Sequence, residues 1–365
     1  MTISSLRTLG AVFALALAAC GSESDDNDGG GGSGASTADG GGGSGQGGGG
    51  ADSTGGSGGG GASSGGGENT GGGGGSDGPD VDVSDPQLYE FELDPHELDP
   101  STEDSLETQL AMLDTRTTPV GRLVIFLPGA NNVPNDWRDH GRVLAKFGFH
   151  VVLPHYNNRW SSNGTCDGMG NSCATDTRWE ALVGEDTSSA IEIPRADSAE
   201  GRVVTMLEHL KTEHPGGDWG YYLTADGELR YEDIVIAGIS HGAASTGLYA
   251  ARRPFSRAVM HASGPAGDSS APKETPLSEW YAFVHTEDPA FDAITSSWEG
   301  FEIIGDLTNV DGASAPYANS HRLTTSAPSE YPHGSVAGHN SFSPMDDNGN
   351  FVFEPAWRYL YGVSQ

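Results

Sequence analysis

The chain has little positive charge. Its 365 residues carry 18 Lys and Arg against 51 Asp and Glu, a formal net charge of −33. Residues 81–365 alone hold 42 acids and 17 bases, a net charge of −25. A surface of that sign repels nucleic acid and anionic membranes, so no nucleic-acid partner is expected. The acidity itself reads as solubility or adaptation to salt. Cysteine is scarce too, with only Cys20, Cys166 and Cys173. No His or Cys cluster lies near the last two in sequence, which argues against a zinc site. No metal and no cofactor is expected. There is also no internal repeat.

What the sequence does have begins with a targeting pattern. In residues 1–20 the only charge is Arg7, followed by an apolar run from Leu9 to Ala19 that is too short to span a bilayer. It ends in Leu17-Ala18-Ala19-Cys20, with Gly21 behind it. A positive start, a short apolar centre and small residues before a cut describe a secretory signal peptide. The ending resembles the bacterial lipobox, which implies lipidation of Cys20 and a place in the bacterial cell envelope, lipid-anchored. The membrane would then be met through the N-terminal lipid only. Residues 21–80 contain 30 Gly among 60 residues and almost nothing apolar. Such a stretch cannot offset its ordering entropy, and its reach as a coil is roughly 40–45 Å. It lacks the triplet period of collagen and the Lys that follows a phosphate loop, so it reads as a disordered Gly/Ser-rich tether.

Residues 81–365 form one domain on this reading. Residues 87–93 alternate apolar and polar, as an edge strand would. Thr102 to Leu113 suggests a short helix. Arg122–Leu127 and Phe149–Pro154 are continuous apolar runs, the mark of strands buried on both faces, with a helix over 136–147 between them. The polar stretch 155–196 reads as loops over the sheet edge. Cys166 and Cys173 stand seven positions apart within it, and a secreted context permits them to form a disulfide. Asp197-Ser198-Ala199-Glu200 opens a helix that Pro215-Gly216 stops. Asp233–Ile239, Ser256–His261 and Trp280–His285 read as further buried strands, and Phe301–Ile304 as a sixth. Gly242–Arg253 and Pro355–Tyr361 are helices. Alternating buried strands and helices imply a mainly parallel sheet covered on both faces.

The most specific signal is Gly238-Ile239-Ser240-His241-Gly242, set between a buried strand and a helix. Gly-x-Ser-x-Gly carries meaning only in that context. The turn is sharp, the two glycines let strand and helix pack closely, and Ser240 projects above the sheet at a helix N-terminus that favours developing negative charge. On these residues the chain from about 120 to 365 resembles the α/β-hydrolase superfamily. That resemblance implies a three-layer fold with a mainly parallel central sheet and a triad in the order Ser, acid, His. Ser240 would be the nucleophile. The backbone amides of His241 and of Ala130, in Leu127-Pro128-Gly129-Ala130-Asn131, would form the oxyanion hole. The resemblance places the acid just past Trp280–His285, where Asp288 fits best and Glu287 and Asp292 are rivals. The base would be a late His: His321, His333 or His339. His333-Gly334-Ser335-Val336 is favoured, because the small residues permit a tight return and because Pro355-Ala356-Trp357-Arg358-Tyr359-Leu360 supplies a similar ending in some relatives. His339 is the alternative base. Asp346-Asp347-Asn348-Gly349-Asn350 lacks the spaced ligands of an EF-hand and reads as a solvated turn.

The expectation is a serine hydrolase acting on a small-molecule or polymeric ester. Two other readings stay open: a catalytically inactive α/β-hydrolase used as a tethered binding module, and a serine peptidase on the same fold.

Overall fold

The computed structural model describes residues 78–363 apart from Asn171. Residues 1–20, read above as a signal peptide ending at Cys20, and nearly all of the Gly-rich stretch 21–80 lie outside the described residues.

Nine strands pair into one sheet among those residues: β1 (Leu88–Leu93), β2 (Gln109–Asp114), β3 (Leu123–Leu127), β4 (His150–Leu153), β5 (Ile234–Ile239), β6 (Arg257–His261), β7 (Trp280–His285), β8 (Thr308–Asn309) and β9 (Arg322–Thr325). Their spatial order is β1-β2-β4-β3-β5-β6-β7-β9-β8. β1 pairs β2, and β2 pairs β4, in antiparallel fashion; every other pairing is parallel. The helices are α1 (Pro95–Leu98), α2 (Arg138–Lys146), α3 (Cys173–Val183), α4 (Ala199–Glu213), α5 (His241–Arg252), α6 (Phe291–Gly300), α7 (Pro332–Ser335) and α8 (Glu354–Leu360).

The apolar strands bury both faces, as the continuous runs require. In β3, Leu123, Ile125 and Leu127 join a core with α3, α4, α5 and α6, while Val124 and Phe126 join a second core with α2 and α8. Period-two alternation thus feeds two helix layers from one strand. The antiparallel pair β1–β2 forms one edge of the sheet, with β1 outermost and mostly half-buried.

Four sequence expectations are corrected. Gln109–Asp114 is a strand instead of the end of a helix. Its Leu, Ala and Met favour helix by only tenths of a kcal/mol each, and pairing with β1 on one side and β4 on the other outweighs that. The stretch 155–196 contains α3, eight of whose eleven residues are buried. It shows no apolar stripe because it buries polar groups. Glu180 accepts hydrogen bonds from the backbone of Thr187, Ser188 and Ile193, and Arg178 is buried as well. Phe301–Ile304 is the turn after α6, and the sheet is completed instead by β8 and the four-residue Arg322–Thr325, too short and polar to stand out. At the start of α4, Ser198 caps Gly201 N, but Glu200 takes no part in a reciprocal cap. Its carboxylate pairs with Arg195 at 2.6 Å and accepts from Tyr231 Oη at 2.7 Å.

Cys166 and Cys173 form a disulfide, with Cα atoms 5.8 Å apart. Closing so short a loop is worth about 2–3 kcal/mol in the chain-entropy description. No helix among the described residues is long and apolar enough to cross a membrane.

Candidate active site

The order β4-β3-β5 makes a topological switch point, because the chain leaves β3 toward β4 on one side and reaches β5 on the other. In open α/β sheets the crevice outside such strand ends is where ligands bind. Leu127, the last residue of β3, pairs with Gly238. The turn after β3 and the turn after β5 therefore meet at the carboxyl edge.

Ser240 occupies the β5–α5 turn with φ 55° and ψ −121°. A non-glycine residue there is strained by on the order of 1–3 kcal/mol and stays only when its surroundings impose it. Here they do. Ser240 N donates to His261 O at 2.9 Å, and Ala244 N donates to Ser240 O at 3.0 Å. Helix α5 enters so close to β3 that a Cβ on Gly242 would stand 2.1 Å from Leu127 O and 2.6 Å from Pro128 O. Any side chain at that position would push the helix off the sheet and release the turn.

The hydrogen-bond ladder continues past the strand ends. Ala262 N donates to Phe283 O at 2.9 Å, and Thr286 N to Thr325 O at 2.8 Å. The turns after β5, β6, β7 and β9 are thus tied side by side along one edge. Asp288 lies three residues beyond β7, buried, with Ala290 N donating to its Oδ1 at 2.8 Å. His333 arrives from the segment after β9, and its Nδ1 donates to Asp288 Oδ2 at 2.7 Å. The carboxyl side chain is fully buried and the imidazole 15% exposed. Pro332 starts α7, and a Cβ on Gly334 would stand 2.6 Å from the Tyr331 ring and 2.7 Å from the Phe342 ring. Gly334 is therefore needed so that the two rings can close over the turn behind His333.

The rival residues lie elsewhere. Glu287 and Asp292 are exposed; Glu287 N donates to His285 Nδ1. His321 stands at the other end of β7, its Nδ1 3.0 Å from Trp280 O and its ring stacked on Tyr281 at 3.8 Å. His339 stacks on Phe342 at 3.8 Å and meets Trp137 edge-on; its Nδ1 accepts from Ser341 N at 3.1 Å. The 346–350 segment is an exposed turn in which Asp346 Oδ1 accepts from Asn348 N and Asn350 N.

Ala130 is half-buried in the turn after β3, and His241 is the first residue of α5. That imidazole is buried, and burial together with the adjacent Arg178 guanidinium holds its pKa well below the ordinary value. It stays neutral, and its ring is boxed in by Trp160 at 5.1 Å. Arg178 and Tyr156, which pack around this turn, carry no signal in the sequence. Both sit in a polar stretch with no periodicity; the packing of α3 against α5 brings Arg178 there, and Tyr156 arrives from the segment just past β4.

No family model matches the chain, and no curated protein matches it. Among solved structures, one named for a dienelactone hydrolase of Klebsiella pneumoniae subsp. pneumoniae aligns over 76% of this chain and 98% of its own, at 14% identity and a TM-score of 0.36. At that score the likeness bears no weight on the chemistry. The mixed, mostly parallel nine-stranded sheet stands on its own pairing.

Proposed function

We propose that the chain is a serine hydrolase of the α/β-hydrolase fold that transfers an acyl group from an ester to water. The observation that carries the reading is the Asp288–His333 hydrogen bond on the same sheet edge as the strained Ser240. Asp288 accepts a hydrogen bond from Nδ1–H, which keeps the proton on Nδ1 and leaves Nε2 as the basic nitrogen of His333. In this mechanism Ser240 Oγ attacks the ester carbonyl while His333 accepts its proton. The backbone N–H groups of His241 and Ala130 hold the oxyanion, each worth about 3–4 kcal/mol in the transition state. His333 then protonates the departing alcohol, and water admitted to the acyl-enzyme repeats the steps in reverse order.

Two experiments test this. A fluorophosphonate probe requires an activated serine, so it should label the wild type at Ser240 and leave Ser240→Ala unlabelled. The same variant should fail to hydrolyse short-chain p-nitrophenyl esters. Labelling at another residue, or wild-type turnover by Ser240→Ala, defeats the reading.

The lipobox-like Leu17-Ala18-Ala19-Cys20 supports a second part of the proposal: a mature protein lipidated at Cys20 and held at the bacterial cell envelope by its Gly-rich tether. Mass spectrometry of the mature N-terminus decides it, and an unmodified Cys20 refutes it.

A further inference from the structure

The side chain that does most at the nucleophile turn without belonging to the triad is Arg178. It lies on α3, is 7% exposed, and reaches the first turn of α5. Its Nη1 donates to His241 O at 2.9 Å and to Ser245 Oγ at 2.8 Å, and stands 3.2 and 3.3 Å from the two ring nitrogens of His241. Ser245 Oγ in turn donates to His241 O at 3.0 Å. The guanidinium also faces the Trp160 ring at 5.2 Å. One cation thus fixes the carbonyl and the ring of the residue whose amide follows the nucleophile.

The same guanidinium bears on the other side of the site. Tyr156 is buried beside Arg178 and Ser245, and burial pushes its phenol up to about 12, so it stays a donor. Tyr156 Oη donates to Pro128 O at 3.3 Å. Asn158 Nδ2 donates to Asn132 O at 2.8 Å, which holds the far side of the turn after β3. The two turns that bear the Ala130 and His241 amides are therefore braced by one buried group of side chains with Arg178 at its centre.

This placement is poor for stability alone. A cation at a helix N-terminus opposes the helix dipole, and burying it removes its hydration. It is good for chemistry at that point, because a buried positive charge next to a developing oxyanion acts through a low dielectric and is already oriented.

We propose that Arg178 is a positioning residue of the oxyanion hole: it fixes the His241 amide, braces the Pro128–Ala130 turn through Ser245 and Tyr156, and lends its field to the tetrahedral intermediate. The inference rests on the serine-hydrolase reading above. It requires that Arg178 act on kcat, with no direct grip on the substrate.

The test uses the full chain. Arg178→Met removes the charge at similar length, Arg178→Lys keeps a charge without the fork of donors, and Tyr156→Phe removes the phenol's contacts to Pro128 and Ser245. Active sites are counted by fluorophosphonate burst, so that kcat refers to folded enzyme. Arg178→Met should lose about 10- to 100-fold in kcat with KM changed less than about twofold. A boronic acid, which binds serine as a tetrahedral anion, should lose affinity by a matching factor. Arg178→Lys should fall between Met and wild type, and Tyr156→Phe should show a smaller loss in kcat. Should Arg178→Met fail to fold, the Lys and Phe variants are read by the same standard. Wild-type kcat and boronate affinity in the variants, with only a lowered Tm, would overturn the inference, and so would a raised KM at unchanged kcat. Turnover by Ser240→Ala would instead overturn the hydrolase reading itself, which separates the two failures.

Discussion

Both edges of the parallel sheet hold a histidine, an acid and a packed ring, yet they are built for different ends. At the amino edge, Glu279 is 3.0 Å from Arg257 Nη2, the Arg257 guanidinium lies 4.2 Å from the Tyr281 ring, and His321 turns its Nδ1 to the Trp280 carbonyl. Each charge has a partner of opposite sign or a π face, and the imidazole bonds backbone. At the carboxyl edge, the acid bonds the imidazole directly, with a strained serine in the turn two strands away. Neither residue type nor strain distinguishes the two. Tyr317, Ala318 and Asn319, just before β9, also have positive φ. What differs is that at the carboxyl edge the imidazole bonds a carboxylate and not a backbone carbonyl, and that a hydroxyl and two turns of backbone amides reach the same edge.

The largest expected effect exploits that contrast. His333→Ala should lower kcat/KM for ester hydrolysis by roughly 10³-fold or more, since the proposed triad would lose its base. His321→Ala should change it by less than about threefold, although it loses a stacked ring and should unfold more easily. Steady-state kinetics on both variants, with burst-counted sites, makes the comparison. A dead His321 variant beside an active His333 variant would reverse the roles of the two edges.

How much of this was legible in the sequence depends on what kind of order each part relies on. The strands β3, β5, β6 and β7 were legible because they are buried on both faces and read as unbroken apolar runs. Ser240 was legible because the glycines that permit its turn are themselves a pattern. Asp288 and His333 were only narrowed, since a contact across 45 positions leaves no local trace; the preference for His333 over His339 came from the small residues after it and from resemblance. Three things were illegible. β2 has helix-forming residues and is a strand only because two neighbours pair with it. α3 buries Arg178 and Glu180, which a hydrophobic pattern counts as surface. β8 and β9 are short and polar. In each case a partner distant in sequence decides the structure.

A smaller effect, on stability rather than rate, comes from histidines held neutral by burial. His150 and His155 are lowered to about 4 and His261 to about 3, in each case chiefly by burial. His140 lies lower than usual for the same reason, with His261 beside it. Their unfolded value is about 6.5, so the unfolded chain binds more protons below that pH. The stabilisation is fully present above about pH 6.5 and is lost as pH falls toward 4 and 3. Each group contributes on the order of 2 kcal/mol of loss between pH 7 and 5. Gly338 N donates to His140 Nδ1 at 3.0 Å, so protonation there would also loosen the segment that follows His333. Urea unfolding at pH 7 and pH 5 should show a drop of at least about 3 kcal/mol. A flat profile would mean that these rings are more hydrated than their burial implies, and would weaken the contrast with the acid-paired His333.

The smallest effect belongs to His339, which lies in the same chain segment as His333 and is the most direct challenge to the comparison. Its ring is nearly parallel to Phe342, at an interplanar angle of 9°, and its Nδ1 is used as an acceptor by Ser341 N. No carboxylate bonds it; Asp136 and Asp139 act on it only at a distance, and burial lowers its pKa. An imidazole so held has no acid to orient it and one ring nitrogen already engaged. His339→Ala should therefore leave kcat/KM within about twofold of wild type and cost about 1 kcal/mol of stability, the usual value of an aromatic pair. His339→Phe, which keeps the stack and removes both nitrogens, should restore most of that stability and the full rate. If His339→Phe were folded but lost 10²-fold or more in rate, the base would be His339. The Asp288–His333 pair would then be a structural bond like the ion pair at the opposite edge.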